Sequence, residues 1–331
     1  MQENPGSHPP FGAQPPYPYT PPQPPRPSWF LPVPLGARYD HLARTTASEL
    51  WRQVVGTLLV AVSFFTVGVL VIGGGAVVAL LLEIPPPPAD PEQISSDPVF
   101  GLVVLLLSLS AVLPLVFGTV ALVQRRAPGT LSSVAGRLRW SWLLRCSGVA
   151  VLALALGQTA QFAALASTGE TVDGMFGWTG WERFLPALIV IVLLVPFQAA
   201  TEEYIFRGWF LQAFGTRLRN PLWGILISSA LFASLHGYSW AGLVDVFAFG
   251  AAMGFLAVRT GGLEAPIALH VVNNMVAFGL SAAAGQLEDA LQQDEMPVPW
   301  QSLVGTVVQL GVFIIGVLYL TRKRSISTIS G

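Results

Sequence analysis

Charge is the first shortage. Only 11% of the 331 residues are Asp, Glu, Lys or Arg, while 53% are hydrophobic and the mean hydropathy is +0.60. Soluble domains carry about 25% charged residues, so a water-solvated globule is excluded and an integral membrane protein is expected. Cysteine is nearly absent. The single Cys146 rules out an internal disulfide and a cysteine-built zinc site, and its place in an apolar run makes it a small packing residue. No nucleotide loop, no glycine-rich phosphate cradle behind a strand and no repeat is found, and the basic loops read as topology signals, so no nucleic-acid partner is expected. The N-terminus lacks an apolar stretch and does not read as a signal peptide. Met1 to Gly36 is instead crowded with proline, as in Pro15-Pro16 and Pro21-Pro22. Such a segment buries too little surface to fold, and a disordered, solvated cytoplasmic tail is predicted over residues 1–36.

What the chain does have is long apolar runs. After an amphipathic stretch at the membrane surface, Tyr39 to Arg52, eight follow: Val54–Leu82, Val99–Val123, Trp140–Ala166, Phe184–Phe214, Leu222–His236, Gly242–Val258, Ala265–Ala283 and Leu303–Leu320. The fold class expected is all-α, a polytopic bundle of about eight transmembrane helices. Residues 37–183 hold the surface stretch and helices 1–3, residues 184–283 helices 4–7, and residues 284–331 helix 8 and a basic tail. A span needs ~20 helical residues. The fifth segment falls short, and a short helix at membrane depth usually borders a polar cavity. Arginines such as Arg38, Arg52, Arg126, Arg217, Arg259 and Arg322 alternate across the spans with Glu83, Asp97, Glu170 and Glu288, and Arg183 alone among the basic residues breaks the pattern. The positive-inside rule then places both termini in the cytoplasm of a multi-pass cell-membrane protein.

Three charges interrupt the fourth run: Glu202, Glu203 and Arg207. Each costs ~2.5–3.5 kcal/mol at the centre of a membrane helix, so a use for them is expected. Glu203 and Arg207 stand four apart with the acid first, the favoured order for an ion pair. Glu202 is rotated about 100° away, which makes it the unpaired carboxylate and a candidate general base. Of the four histidines, His236 and His270 lie in apolar segments downstream, and Asn274 shares a helix face with His270. A lone membrane histidine is commonly a helix–helix hydrogen bonder, but two beside a Glu-Glu pair point to a site.

Glu202-Glu203-x-x-x-Arg207, Phe232-x-x-x-His236 and His270-x-x-x-Asn274 resemble the three signature motifs of the CAAX protease and bacteriocin-processing (CPBP) family, membrane proteins similar to the type II CAAX prenyl endopeptidase. Phe206-Arg207-Gly208, Phe247-x-x-Gly250-x-x-x-Gly254 and Thr260-Gly261-Gly262-Leu263 match as well. The likeness runs from about Phe184 to Gly279. It implies an intramembrane endopeptidase, a hydrolase acting on a peptide or membrane-protein substrate in the lipid bilayer. By position, Glu202 and His236 would activate the attacking water, His270 and Asn274 would stabilise the oxyanion, and Glu203 and Arg207 would support the helix. The cofactor is open: catalysis without a metal is expected, with a zinc site of Glu202, His236 and His270 as the metalloprotease alternative. A non-proteolytic membrane scaffold or immunity protein of the same family is the alternative function, ahead of a transporter, for which no repeat symmetry is seen.

If the fourth run is one helix to Phe214, Glu202 lies ~22 Å from Arg217 and His270 ~16 Å from Arg259, so the polar groups converge near mid-membrane. Gly250-x-x-x-Gly254 is expected to pack helices closely beside the site, and Asp245 either to line the cavity or to cap the start of the sixth run, the cap being preferred.

Overall fold

The computed structural model describes residues 28–85, 95–170, 177–291 and 298–331. Within them the chain is helical: α1 Leu50–Leu81, α2 Pro98–Ser110, α3 Leu113–Leu122, α4 Trp140–Ser167, α5 Trp181–Glu203, a π-helical segment Tyr204–Phe210, α6 Leu211–Gly215, α7 Pro221–Ala233, α8 Trp240–Thr260, α9 Glu264–Ala284, α10 Leu287–Leu291 and α11 Ser302–Lys323. Seven helical stretches among the described residues are long and apolar enough to cross a membrane. The second is Pro98–Leu122, in which Pro114 in the first turn of α3 marks a break from α2. The fourth, Trp181–Gly215, joins α5, the π segment and α6 into one 35-residue rod. The remaining predicted span, the fifth, is α7, which has only 13 residues. It is the short helix expected at that place, capped at its start by the Asn220 side chain accepting from Leu222 N–H.

Inter-helix bonds sort the helix ends into two groups. At one end Arg52 reaches Val123 O, Arg139 reaches Thr260 O and Ser327 O, Arg44 reaches Gly215 O, and Arg38 reaches Arg219 O. At the other, Thr179 N–H donates to Ala283 O, Gln301 to Thr168, and Val298 N–H to Ser239. Among the described residues the helices therefore run between the two ends eight times, seven times as long helices and once as α7 plus the stretch leading into α8. Both described ends of the chain lie at the first, arginine-rich end, where Gly36 N–H donates to Ser330 O.

Two expectations for the N-terminal region need correction. The last part of the tail predicted as disordered, from residue 28 to Gly36, is held in place: the Trp29 indole donates to Ala121 O and Leu31 N–H to Arg125 O. Residues 1–27 lie outside the described residues. Nor does Tyr39–Arg52 simply lie at the membrane surface. It begins as one 3-10 turn, Tyr39–His41, with Tyr39, Asp40 and Leu42 fully buried under the bundle's end, and the first helix starts within it at Leu50. Gly215 makes this burial feasible, since any Cβ there would collide with Asp40 O.

The packing follows from what each helix can hide. α1 is apolar on all sides and leaves Leu58, Val62, Val69 and Leu80 largely uncovered, as a lipid-facing outer helix does. One core gathers around the π segment, where Tyr204, Ile205, Phe206 and Trp209 meet Val116, Val120, Leu131 and Phe232. A second lies between α4, α8, α9 and α11 around Trp142, Met253, Leu269 and Phe313, and includes Cys146 as the expected packing residue. α8 seats closely on α7: a Cβ on Gly254 would come within 3.1 Å of Ile225, and one on Gly250 within 3.1 Å of Ser229.

Candidate active site

The polar residues singled out in the sequence come together from α5, α7 and α9. Glu203 and Arg207 form the expected ion pair, Nη1 to Oε1 at 2.9 Å, with both side chains fully buried. The Arg207 guanidinium also lies over the Phe232 ring, 4.2 Å from its centroid, a cation–π contact in a desolvated place. Two charges at this depth are tolerable only because they neutralise each other.

Glu202 is not the unpaired carboxylate inferred from its 100° rotation. Its Oε1 accepts from Gln198 Nε2 at 2.7 Å. Its Oε2 lies 3.3 Å from His270 Nε2, close enough for charge attraction but without hydrogen-bond alignment, so this oxygen is buried and makes no hydrogen bond. The His270 Nδ1 meets Glu203 Oε1 at 2.7 Å. The imidazole is thus bracketed by two carboxylates. Asn274 donates to Gln198 Oε1 at 3.0 Å. The result is a continuous polar chain through the bundle: Asn274, Gln198, Glu202, His270, Glu203, Arg207.

His236 stands just beyond the end of α7. Its Nδ1 bonds Phe232 O at 2.9 Å, which fixes the ring and leaves Nε2 outward. It pairs with no carboxylate among the described residues. It does line the same cavity as Glu202, a space of about 290 Å³ bounded also by Phe206, Phe232 and Leu235. On its other side it lines a second cavity of about 210 Å³ together with His270, Asn274 and Asp245. His236 therefore stands where the two spaces meet, with Glu202 in one and His270 and Asn274 in the other.

Four buried polar atoms around this centre lack hydrogen bonds: Glu202 Oε2, Glu203 Oε2, Arg207 Nε and Arg207 Nη2. Buried groups of this kind are rare in native structures and need an explanation. The zinc alternative does not fit the donor set. Among the described residues no three His, Cys, Asp or Glu side chains are gathered to hold a metal ion. Both nitrogens of His270 face carboxylates rather than a point shared with His236.

Some of the site was not read from the sequence. Gln198 joins Glu202 to Asn274, and the signal was available, since it stands one helical turn before Glu202 on the same face. Asp245 does not cap its helix. It is the sixth residue of α8 and lines the smaller cavity, the other of its two expected places; what the sequence did not offer is its partner, Thr306 of α11, from which it accepts at 2.7 Å. No spacing rule links α8 to α11, so only the fold could bring these two together.

The fold and site define a multi-pass membrane protein with a buried acid–imidazole–amide centre. Residues 182–276 match the family model described as type II CAAX prenyl endopeptidase Rce1-like, and the resemblance carried by the three motifs is borne out over that segment. Among curated proteins, the chain is 38% identical over 102 residues to YyaK of Bacillus subtilis (strain 168), covering 28% of this chain and 34% of that protein. It is 34% identical over 87 residues to a 24.3 kDa protein of Escherichia coli, covering 25% of this chain and 39% of that one. The matched part thus spans about a third of the length of each relative. No solved structure matches.

Proposed function

We propose that the protein is an intramembrane endopeptidase that hydrolyses a peptide or membrane-protein substrate with a water activated by Glu202 and His236. The observation that carries this reading is the buried, hydrogen-bond-free Glu202 Oε2 beside a cavity that His236 also lines. A water between them gives its proton to the carboxylate as its oxygen attacks the substrate carbonyl carbon. The carbonyl oxygen becomes an oxyanion, which His270 and the Asn274 amide stabilise from the other side of His236. At rest both donors are engaged, His270 between two carboxylates and Asn274 on Gln198. Substrate binding is expected to turn them over to the oxyanion, since catalytic hydrogen bonds often align only in the complex. The tetrahedral adduct then collapses, the C–N bond breaks, and the proton held by Glu202 passes to the departing amine. Glu203 and Arg207 hold the His270 ring in place. The reaction as written uses this chain's own side chains, without a metal.

The test compares membrane proteomes of cells carrying the wild-type protein or Glu202→Gln. A substrate's cleavage fragments should be present with the wild type and absent with the variant. Fragments that persist unchanged in Glu202→Gln would overturn the reading and favour a non-proteolytic scaffold.

A further inference from the structure

The smaller cavity has a polar wall that the reaction above leaves unused. Its far side is built by Asp245 of α8, Asn273 of α9, and Thr306 and Gln309 of α11. Gln309 donates to Asn273 Oδ1 at 2.7 Å, which leaves the Gln309 carbonyl oxygen without a hydrogen bond among the described residues. Asp245 has one partner, the Thr306 hydroxyl on Oδ1, and no ion pair among the described residues. A carboxylate in a membrane helix is costly and normally meets a cation or marks a substrate path. Among the described residues no Lys or Arg lines this cavity, and its two imidazoles are those already assigned to the proposed reaction. The wall thus offers a carboxylate oxygen and an amide oxygen, acceptors both, and lacks a cation to match them.

We propose that this cavity is a specificity subsite that receives a Lys or Arg side chain of the substrate, placed next to the scissile bond by the shared lining of His236, His270 and Asn274. The proposal rests on the endopeptidase reading and names its substrate class: an apolar membrane segment interrupted by one basic residue. Size agrees with this. Whole-ligand pockets run to roughly 300–1,000 Å³, and about 210 Å³ is room for one long side chain rather than for a peptide. A cation in such a segment faces its own insertion cost and gains most from a buried carboxylate. Thr306 and Gln309 lie beyond the residues 182–276 matched by the family model, so this wall is supplied by a part of the chain outside that match.

The test measures binding apart from cleavage. Full-length protein in lipid nanodiscs is titrated with labelled apolar peptides of about 20 residues, long enough to span, that differ only in a central guest: Arg, Lys, Gln or Leu. The wild type should bind the Arg and Lys guests about ten-fold tighter than the Gln guest, as a charge-assisted contact gives. Asp245→Asn should bring that ratio to near one, and Asp245→Glu should retain it. Should Asp245→Asn not fold, Gln309→Leu provides the second variant and should weaken the preference. Equal binding of Arg and Gln guests by the wild type, or a preference unchanged in the folded variants, overturns the proposal. Preferred binding of Arg guests without any cleavage that depends on Glu202 would leave the subsite standing and overturn the endopeptidase reading instead.

Discussion

The two adjacent carboxylates share His270 but differ in their other partners, Gln198 for Glu202 and Arg207 for Glu203, and their substitutions should separate accordingly. Glu203 is fully buried against Arg207 and His270. Removing one member of such a pair strands the other charge and commonly costs about 3–5 kcal/mol. Glu203→Leu and Arg207→Leu should therefore each lower unfolding stability in detergent by an amount of that order. The double variant should be more stable than either single one, because no orphan charge is left; a double variant as unstable as the sum of the singles would show that the ion pair is not the coupling. Glu202→Gln is a different case. The new side chain keeps an oxygen for Gln198 and has nearly the same shape, so stability should move by less than about 1.5 kcal/mol, the net worth of one ordinary hydrogen bond. Proteolysis should nonetheless be lost, since an amide cannot take the proton from water. A thermal-unfolding series beside a cleavage assay reads both quantities.

At the level of helices, the joint between α7 and α8 sets where His236 and Asp245 stand. A Cβ at Gly250 would lie 2.8 Å from Arg207 Nη2, and that guanidinium is held by Glu203 and by the Phe232 ring. Gly250→Val should thus act as a wedge. A loss of about 1–3 kcal/mol is expected from overpacking, with reduced peptidase activity because Phe232 and His236 move with α7; wild-type stability and activity in this variant would refute the close-packing account. Most helix bounds were legible because apolar runs end where charge, proline or glycine begins: α4, α8, α9 and α11 fall within three residues of their sequence-read limits at each end. The long fourth rod was also legible, from the need to bring Glu202 level with the histidines. Its π segment was not, since a shift from i+4 to i+5 bonding leaves no mark in composition. The buried run at Tyr39 was misread for a related reason. Its mix of polar and apolar residues suits a membrane surface, and only the close approach at Gly215 reveals that it tucks under the bundle.

For the whole molecule, the arrangement of ends makes a topological statement that the motifs cannot. Arg139 joins α4 to α8, α9 and the C-terminal tail: it meets the fully buried Glu264 at 2.7 Å and reaches the backbone of Thr260 and Ser327. Arg38 pairs with Asp40 and reaches Arg219 O, while its backbone bridges to Ile329. These ties hold both described chain ends to one face, and that face carries most of the arginines. Basic residues resist translocation, so this face is expected in the cytoplasm and the face bearing Trp178 and Trp300 outside. Cys146 is buried in α4 and is the chain's single cysteine, so introduced thiols can be read almost without background. Leu35, Ile329, Trp178 and Trp300 are all at least half exposed. In intact cells a membrane-impermeant maleimide should label Trp178→Cys and Trp300→Cys but not Leu35→Cys or Ile329→Cys, and in inverted vesicles the pattern should reverse. Labelling of Leu35→Cys and Ile329→Cys from opposite sides would break the eight-pass arrangement itself. Labelling of both from outside would keep the arrangement and invert it, so that the depth of the cavities lined by His236 is measured from the other membrane surface.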